Sequence, residues 1–264
     1  MPASAEPDRT GRAGSDAGIA ASDGGSGDAD PADAQDAGGD PGSDAGTDGG
    51  GGASDVGPGD AGQTEPLRRR WSQNHGDLTF VHRADDGALD VTFRFDGATL
   101  DGDMVHGDVA VDGVVVHSTA GLTRPEQDNG FFAGLCVDPG QQVAWLPQRN
   151  SDAFELGVPF VGLLAGVDAG VFVDDVLTLE LVGVRSPSGS GAYSLWRDGF
   201  PPTFFFASCD GIDAADAVQL PIGHDHFNMG FTEPGVWEVD YRISGELVEG
   251  GSSTGSTTVR FLLE

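Results

Sequence analysis

Lysine is absent from this chain of 264 residues, so all 13 basic residues are arginines, against 43 aspartates and glutamates. The formal net charge of −30 argues against nucleic-acid backbones and anionic membrane surfaces as partners, because both are themselves negative. No run approaches the roughly 18 apolar residues that cross a bilayer, so the sequence predicts no membrane span. A basic and then apolar leader is also missing after Met1, so no signal peptide is visible.

Aromatic residues are missing from residues 1–65, which contain 17 glycines, 14 acidic residues and only two arginines. Such a segment cannot bury enough apolar surface to offset the entropy lost on ordering. We therefore predict that residues 1–66 form a disordered, self-repelling linker. An acidic linker ahead of an all-β domain is typical of exported proteins. We expect an extracellular or cell-surface protein whose start has been trimmed or mis-assigned, with an intracellular protein as the alternative.

Sustained helical periodicity is also absent from the rest of the chain, which holds all four Trp, all 15 Phe and both Tyr. Short segments that alternate between apolar and polar side chains, such as residues 89–95, predict half-buried strands. Asp112-Gly113 predicts the tight turn of a hairpin over residues 109–116. Pro and Gly mark turns between further short segments. We predict that residues 67–264 form one all-β domain, an antiparallel β-sandwich or jelly roll.

Recognisable catalytic motifs are scarce. The chain has no phosphate-binding loop and no His-Glu-x-x-His sequence. Carboxylate pairs are too abundant in so acidic a chain to be diagnostic of a glycosidase. Pairs such as Asp101-Gly102 match no calcium-binding loop and are the ordinary chemistry of tight turns. We therefore predict a binding protein and not an enzyme.

Two histidines separated by one residue lie in the predicted strand of residues 224–231. Because side chains alternate faces along a strand, His224 and His226 share one face, about 6–7 Å apart. Neutral imidazoles so placed can bind one divalent transition metal, such as zinc, copper or manganese, or an anionic ligand. His75 is the first candidate for a third ligand, with Asp77 as a fourth ligand or as the carboxylate that orients an imidazole. The alternative is that the histidines only hydrogen-bond nearby loops.

Cysteine occurs twice, as Cys136 and Cys209. In an exported β domain an even pair suggests a disulfide, and the alternative is two buried thiols. The separation of the two residues matches no metal-binding motif.

Residues 224–237 read HDHFNMGFTEPGVW and resemble the signature of the bacterial surface-anchored proteins with choice-of-anchor M domains, and of the related actinobacterial wall repeat. That signature has the form HxHxNWxFTxPGxY, so Met229 stands in place of Trp and Trp237 in place of Tyr. Three further segments resemble the family in the same order: residues 74–77 (NHGD), 143–148 (VAWLPQ) and 183–194.

The resemblance implies an exported β domain held at the cell surface through its N-terminal linker. Some members of the family look associated with metal-type transport systems, which favours the metal hypothesis and His75 as the third ligand. We therefore predict a surface-tethered domain that binds a metal ion or a small ligand, with cell-surface components as further partners. The alternatives are a glycan-binding or glycan-active domain that uses tryptophans such as Trp71, Trp145 and Trp196, and a purely structural or adhesive module.

Overall fold

Residues 68–264 are the part of the chain that the computed structural model describes, and the predicted linker of residues 1–66 lies outside it. The strands are β1 (Arg69–His82), β2 (Leu89–Leu100), β3 (Asp103–Ala110), β4 (Val114–Ser118), β5 (Gly121–Thr123), β6 (Gln142–Leu146), β7 (Pro159–Ala165), β8 (Val176–Arg185), β9 (Tyr193–Arg197), β10 (Thr203–Ala207), β11 (Ala217–Pro221), β12 (Gly223–His226), β13 (Asn228–Phe231), β14 (Gly235–Glu246) and β15 (Ser252–Leu263). One α-helix, α1 (Asn150–Leu156), lies in the same part of the chain. No helix among these residues is long and apolar enough to cross a membrane.

Two sheets face each other, so the all-β sandwich prediction is confirmed. The larger sheet has ten strands in the order β11-β8-β14-β15-β4-β1-β2-β3, with β7 beside β1 and β12 beside β7. The smaller sheet has five strands in the order β10-β9-β13-β6-β5. Most neighbouring strands are antiparallel, but β1 runs parallel to both β4 and β7, and β15 runs parallel to β4.

Strand β1 changes its partner along its length. Its first residues, 69–71, pair with β4, whereas residues 74–80 pair with β7. Register shifts against β2 lie between Trp71 and Gly76, at the point of the change. Such irregularities bend a strand and re-aim its side chains. As a result, His75 lies at the beginning of the β1–β7 pairing.

Aromatic side chains fill the space between the two sheets. Trp237 and Phe261 of the larger sheet contact Phe231 of the smaller sheet, with ring centroids 5.3 and 4.9 Å apart. The hydroxyl of Tyr241 donates a hydrogen bond of 2.8 Å to the hydroxyl of Tyr193 across the same space. A buried hydroxyl without such a partner would cost free energy, so this pair also specifies how the sheets align.

The predicted hairpin over residues 109–116 is wrong. A 3-10 turn at Val111–Gly113 separates β3 from β4, and the two strands take different partners. β3 pairs with β2, whereas β4 lies between β1 and β15. The Asp-Gly pair therefore does not reverse the chain, since β3 and β4 both run parallel to β1, and long-range contacts that turn chemistry does not encode decide how these strands pair.

Cys136 and Cys209 form a disulfide, which settles the choice between a bridge and two thiols. Cys136 follows a 3-10 turn at Ala133–Leu135, and Cys209 lies in a second one at Ser208–Asp210. Next to the bridge, the hydroxyl of Ser194 donates to the carbonyl of Gly134 at 2.6 Å. The bridge and this hydrogen bond hold two long loops against the smaller sheet.

Cross-strand ion pairs cover the outer face of the larger sheet. Arg185 donates through Nε to Glu238 at 2.7 Å and also pairs with Asp240. The hydrogen bond from Arg185 lowers the pKa of Glu238 below its ordinary value of 4.5. Because the folded-state pKa is lowered, the pair stabilises the fold above about pH 4.5, and this contribution is lost as the pH falls through the lowered value.

Replacing Arg185 with glutamine is therefore expected to lower the free energy of unfolding at pH 7 by less than about 1 kcal/mol, since the Arg185 side chain is 54 % exposed and water screens the pair. Urea unfolding at pH 7 and at about pH 2.5 measures the effect, and the difference from the wild type should be smaller at the lower pH because protonation of Glu238 removes its charge. Arg70→Gln, which removes another exposed arginine, is the control. An equal loss of stability at both pH values would contradict the conclusion that the ionised form of Glu238 carries the effect.

Candidate functional site

The four residues predicted as ligands lie on two strands of the larger sheet, His75 and Asp77 on β1 and the other two on β12. β7 is central, with β1 parallel on one side and β12 antiparallel on the other. Asp77 and His226 are both opposite Gly162, one on each side of β7. Residues that lie opposite each other in a ladder present their side chains on the same face. The side chains of β1 and β12 therefore meet over β7.

Three imidazoles converge at this place. His75, His224 and His226 each offer one nitrogen, and these nitrogens lie within 4.8 Å of one another. Ring centroids are 5.2 to 5.9 Å apart. Ligands of a tetrahedral zinc ion are about 3.3 Å apart, from zinc–nitrogen bonds of about 2.0–2.1 Å. Capture of an ion would therefore draw the nitrogens together by at most about 1.5 Å, and the exposed ring of His224 has room to move.

His226 has a fixed orientation. Its Nδ1 lies 3.0 Å from the carbonyl oxygen of Val161, and its ring stacks on Phe160 with centroids 3.7 Å apart and an angle of 7° between planes. A histidine that donates Nδ1–H to a backbone carbonyl presents Nε2 as a lone pair, which is the arrangement usual in metal-binding histidines. Burial lowers the pKa of His226, so the ring is neutral at pH 7 as a ligand must be.

His75 and Asp77 form a second oriented pair. Nε2 of His75 lies 3.3 Å from Oδ1 of Asp77, and neither of these enclosed atoms has a closer polar partner. The interaction with the carboxylate raises the pKa of His75, against the opposing effect of burial. Asp77 is buried and is not among the groups that converge within 4.8 Å. Its position therefore suits the carboxylate that orients His75 better than it suits a fourth ligand.

Gly162 provides the space for this arrangement. A Cβ atom at residue 162 would overlap Oδ1 of Asp77 and would lie 3.0 Å from Cε1 of His226. The backbone there does not have a positive φ, so the need for glycine is one of space and not of conformation. Sequence reasoning missed Gly162, Phe160 and Val161, because only the parallel pairing of β7 with β1 brings them to the histidines.

The predicted strand of residues 224–231 crosses between the sheets. β12 belongs to the larger sheet and β13 to the smaller one, with Phe227 between them. Asp225 fixes the crossing, because it pairs with Arg197 of the smaller sheet and accepts the backbone N–H of His226 at 2.8 Å. Alternation along one continuous strand would place Asn228 on the same face as the two histidines, but Asn228 begins β13 in the other sheet. Asn228 is buried and accepts a hydrogen bond of 2.9 Å from Trp145 Nε1.

Three tryptophans suggested for a glycan-binding surface are not exposed. Trp71 and Trp196 are fully buried and Trp145 is partly buried. They therefore form part of the core, as large aromatic side chains in a sandwich usually do. The hypothesis of a glycan-binding surface is therefore not supported by these three tryptophans.

One short sequence, residues 251–255, has the letters of a Gly-x-Ser-x-Gly nucleophile motif. Its Ser253 is buried at the start of β15, where the hydroxyl donates to the carbonyl of Gly87 at 2.5 Å. A nucleophile elbow requires an exposed serine between a strand and a helix. Ser253 therefore has a structural role: it ties the start of β15 to the loop between β1 and β2.

Comparison with known proteins finds no match: no family model, no curated protein and no solved structure shows significant similarity to the chain. The resemblance to choice-of-anchor M domains therefore stays a prediction.

Proposed function

We propose that the domain binds a divalent transition-metal ion through His75, His224 and His226, with Asp77 orienting His75. The convergence of three imidazole nitrogens within 4.8 Å carries this proposal. Nitrogen ligands of this kind suit zinc and copper, and a site that lacks a direct carboxylate ligand suits manganese less well.

The hydrogen-bonding alternative explains less of the geometry. Histidines that only stabilise strand ends need no common meeting point, yet these three come from two strands that β7 separates. Both partly buried rings are also held through one nitrogen, His226 by Val161 and His75 by Asp77. In metal sites an outer-sphere partner of this kind orients the ring so that its other nitrogen binds the ion.

Three histidine ligands leave a fourth coordination position for a ligand from solution. The exposed ring of His224 lies on the open side of the cluster. We propose that the domain works outside the cell, tethered through its N-terminal segment, and binds the ion itself or a small ligand through it. The disulfide supports this location, because such bonds persist in oxidising compartments.

Elemental analysis and calorimetric titration with zinc, copper and manganese test the proposal. We expect one ion per chain, and zinc or copper to bind more tightly than manganese. His226→Ala should weaken binding by more than the 10–100-fold that loss of an outer-sphere partner costs, since it removes a ligand.

His106→Ala is the matched control, because His106 is exposed and its imidazole pairs with a single carboxylate, Asp96. It should leave the affinity unchanged. A wild-type protein that binds none of the three ions, with no shift of the melting temperature, would overturn the proposed function. So would equal weakening by the two substitutions.

A further inference from the structure

A second candidate site lies at the far end of β1 from His75. Three loops enclose a pocket of about 530 Å³ there: residues 83–88 between β1 and β2, residues 166–175 between β7 and β8, and residues 247–251 between β14 and β15. Pockets that hold small organic ligands have volumes of about 300–1,000 Å³. We call it the loop pocket. Nothing in the metal proposal uses it, since about seven residues of extended strand separate it from His75.

The walls of the loop pocket are fixed by contacts between the loops. The backbone N–H of Val248 donates to the carbonyl of Val171 at 3.0 Å, and that of Gly166 donates to Phe80 at 2.9 Å. The hydroxyl of Ser253 donates to Gly87 at 2.5 Å. Each of the three loops is thus tied to another strand or loop. A site whose walls are already ordered loses little entropy when a ligand binds.

The lining has a consistent chemistry. Its apolar part comes from side chains such as Val81, Val167, Val171 and Leu247. Its ionisable side chains are His82 and the exposed carboxylates of Asp168 and Glu249, and no arginine of residues 68–264 lines it. An anionic ligand would therefore meet two negative charges without any compensating cation. A cation would be attracted by the same two groups.

His82 provides a further polar feature. Its ring packs edge-on against the buried ring of Phe172, with centroids 5.3 Å apart. Its Nε2 is enclosed and has no hydrogen-bond partner among the described residues. Buried polar atoms nearly always have a partner, so an unpaired nitrogen beside a pocket is a group that a polar ligand can satisfy, by donating or accepting according to the tautomer of the ring.

We infer that the loop pocket binds a small organic ammonium ion. The protonated amine lies at the carboxylates of Asp168 and Glu249, and its aliphatic or aromatic body rests on the apolar lining. An ammonium group supplies the positive charge and several donors that this lining lacks. The apolar body accounts for the remaining volume.

Calorimetric titration of the full chain with three matched probes tests this inference. The probes are 2-phenylethylamine, which is positive at pH 7, 2-phenylethanol, which is neutral, and 3-phenylpropanoate, which is negative. We expect saturable binding of the amine at one site, at least tenfold tighter than the alcohol, and no measurable binding of the anion. Absence of saturable amine binding, or equal affinity for amine and alcohol, would overturn the inference.

A double substitution, Asp168→Asn with Glu249→Gln, tests whether the amine binds at these two carboxylates. It should remove the tenfold preference for the amine over the alcohol. Asp138→Asn with Glu155→Gln changes the net charge by the same amount at exposed residues away from the pocket and should keep the preference. Equal effects of the two double variants would show attraction by overall charge alone and would refute the site. His226→Ala should leave amine binding unchanged, so this result is independent of the metal proposal.

Discussion

Replacing Gly162 with alanine is expected to weaken metal binding at least about 100-fold relative to the wild type. The added methyl group overlaps Oδ1 of Asp77 and lies 3.0 Å from Cε1 of His226. Contacts this short force side chains or backbone to shift, and such overpacking typically costs about 1–3 kcal/mol. The carboxylate that orients His75 and the ring of His226 would be displaced together, since both lie over residue 162.

Calorimetric titration with zinc, combined with urea unfolding, measures both effects. Gly113→Ala is the control, because a Cβ at that residue meets nothing within 4 Å and the backbone φ is not positive. It should change neither affinity nor stability appreciably. Wild-type affinity in a folded Gly162→Ala protein would contradict the proposed site.

A second variant keeps this test decisive if Gly162→Ala is too unstable to purify. Adding Asp77→Ala removes the carboxylate that the new methyl group meets. Stability should then recover in part, whereas zinc binding should not, because the contact with His226 remains and His75 has lost its orienting partner. Recovery of both properties would show that Gly162 acts on stability alone.

Local patterns in the sequence were sufficient to predict much of the fold. The predicted strand of residues 89–95 begins where β2 begins and lies wholly within it, because alternation between apolar and polar side chains defines a half-buried strand well. The helix α1 was not predicted. Seven residues are too few to show helical periodicity, and its Phe154 is 85 % exposed, which weakens any apolar stripe.

Only the part of the candidate site that depends on alternation along a single strand follows from the sequence pattern. The shared face of His224 and His226 follows from that alternation. The crossing at Phe227 does not, because it depends on which sheet each half of the segment joins. Nor does the sequence show that β7 lies between β1 and β12, parallel to the first and antiparallel to the second. That long-range arrangement is what brings Gly162 and Phe160 under the imidazoles.

Removal of the disulfide is expected to destabilise the domain by about 4 kcal/mol. Cys136 and Cys209 are 73 residues apart. In the chain-entropy account, a bridge stabilises the fold by restricting the unfolded chain, and the effect grows with the length of the closed loop. The double variant Cys136→Ser with Cys209→Ser leaves the two loops joined by weaker contacts, such as the hydrogen bond from Ser194 to Gly134.

Urea unfolding of the wild type and of this variant, each with and without a reducing agent, tests the expectation. Reductant should lower the stability of the wild type to that of the variant and leave the variant unchanged. Zinc affinity measured well below the melting temperature should be the same for both proteins, because the bridge lies beside the smaller sheet and the histidines belong to the larger one. A stability loss below about 1 kcal/mol would show that the folded loops hold themselves in place, and would remove the main structural support for an oxidising location.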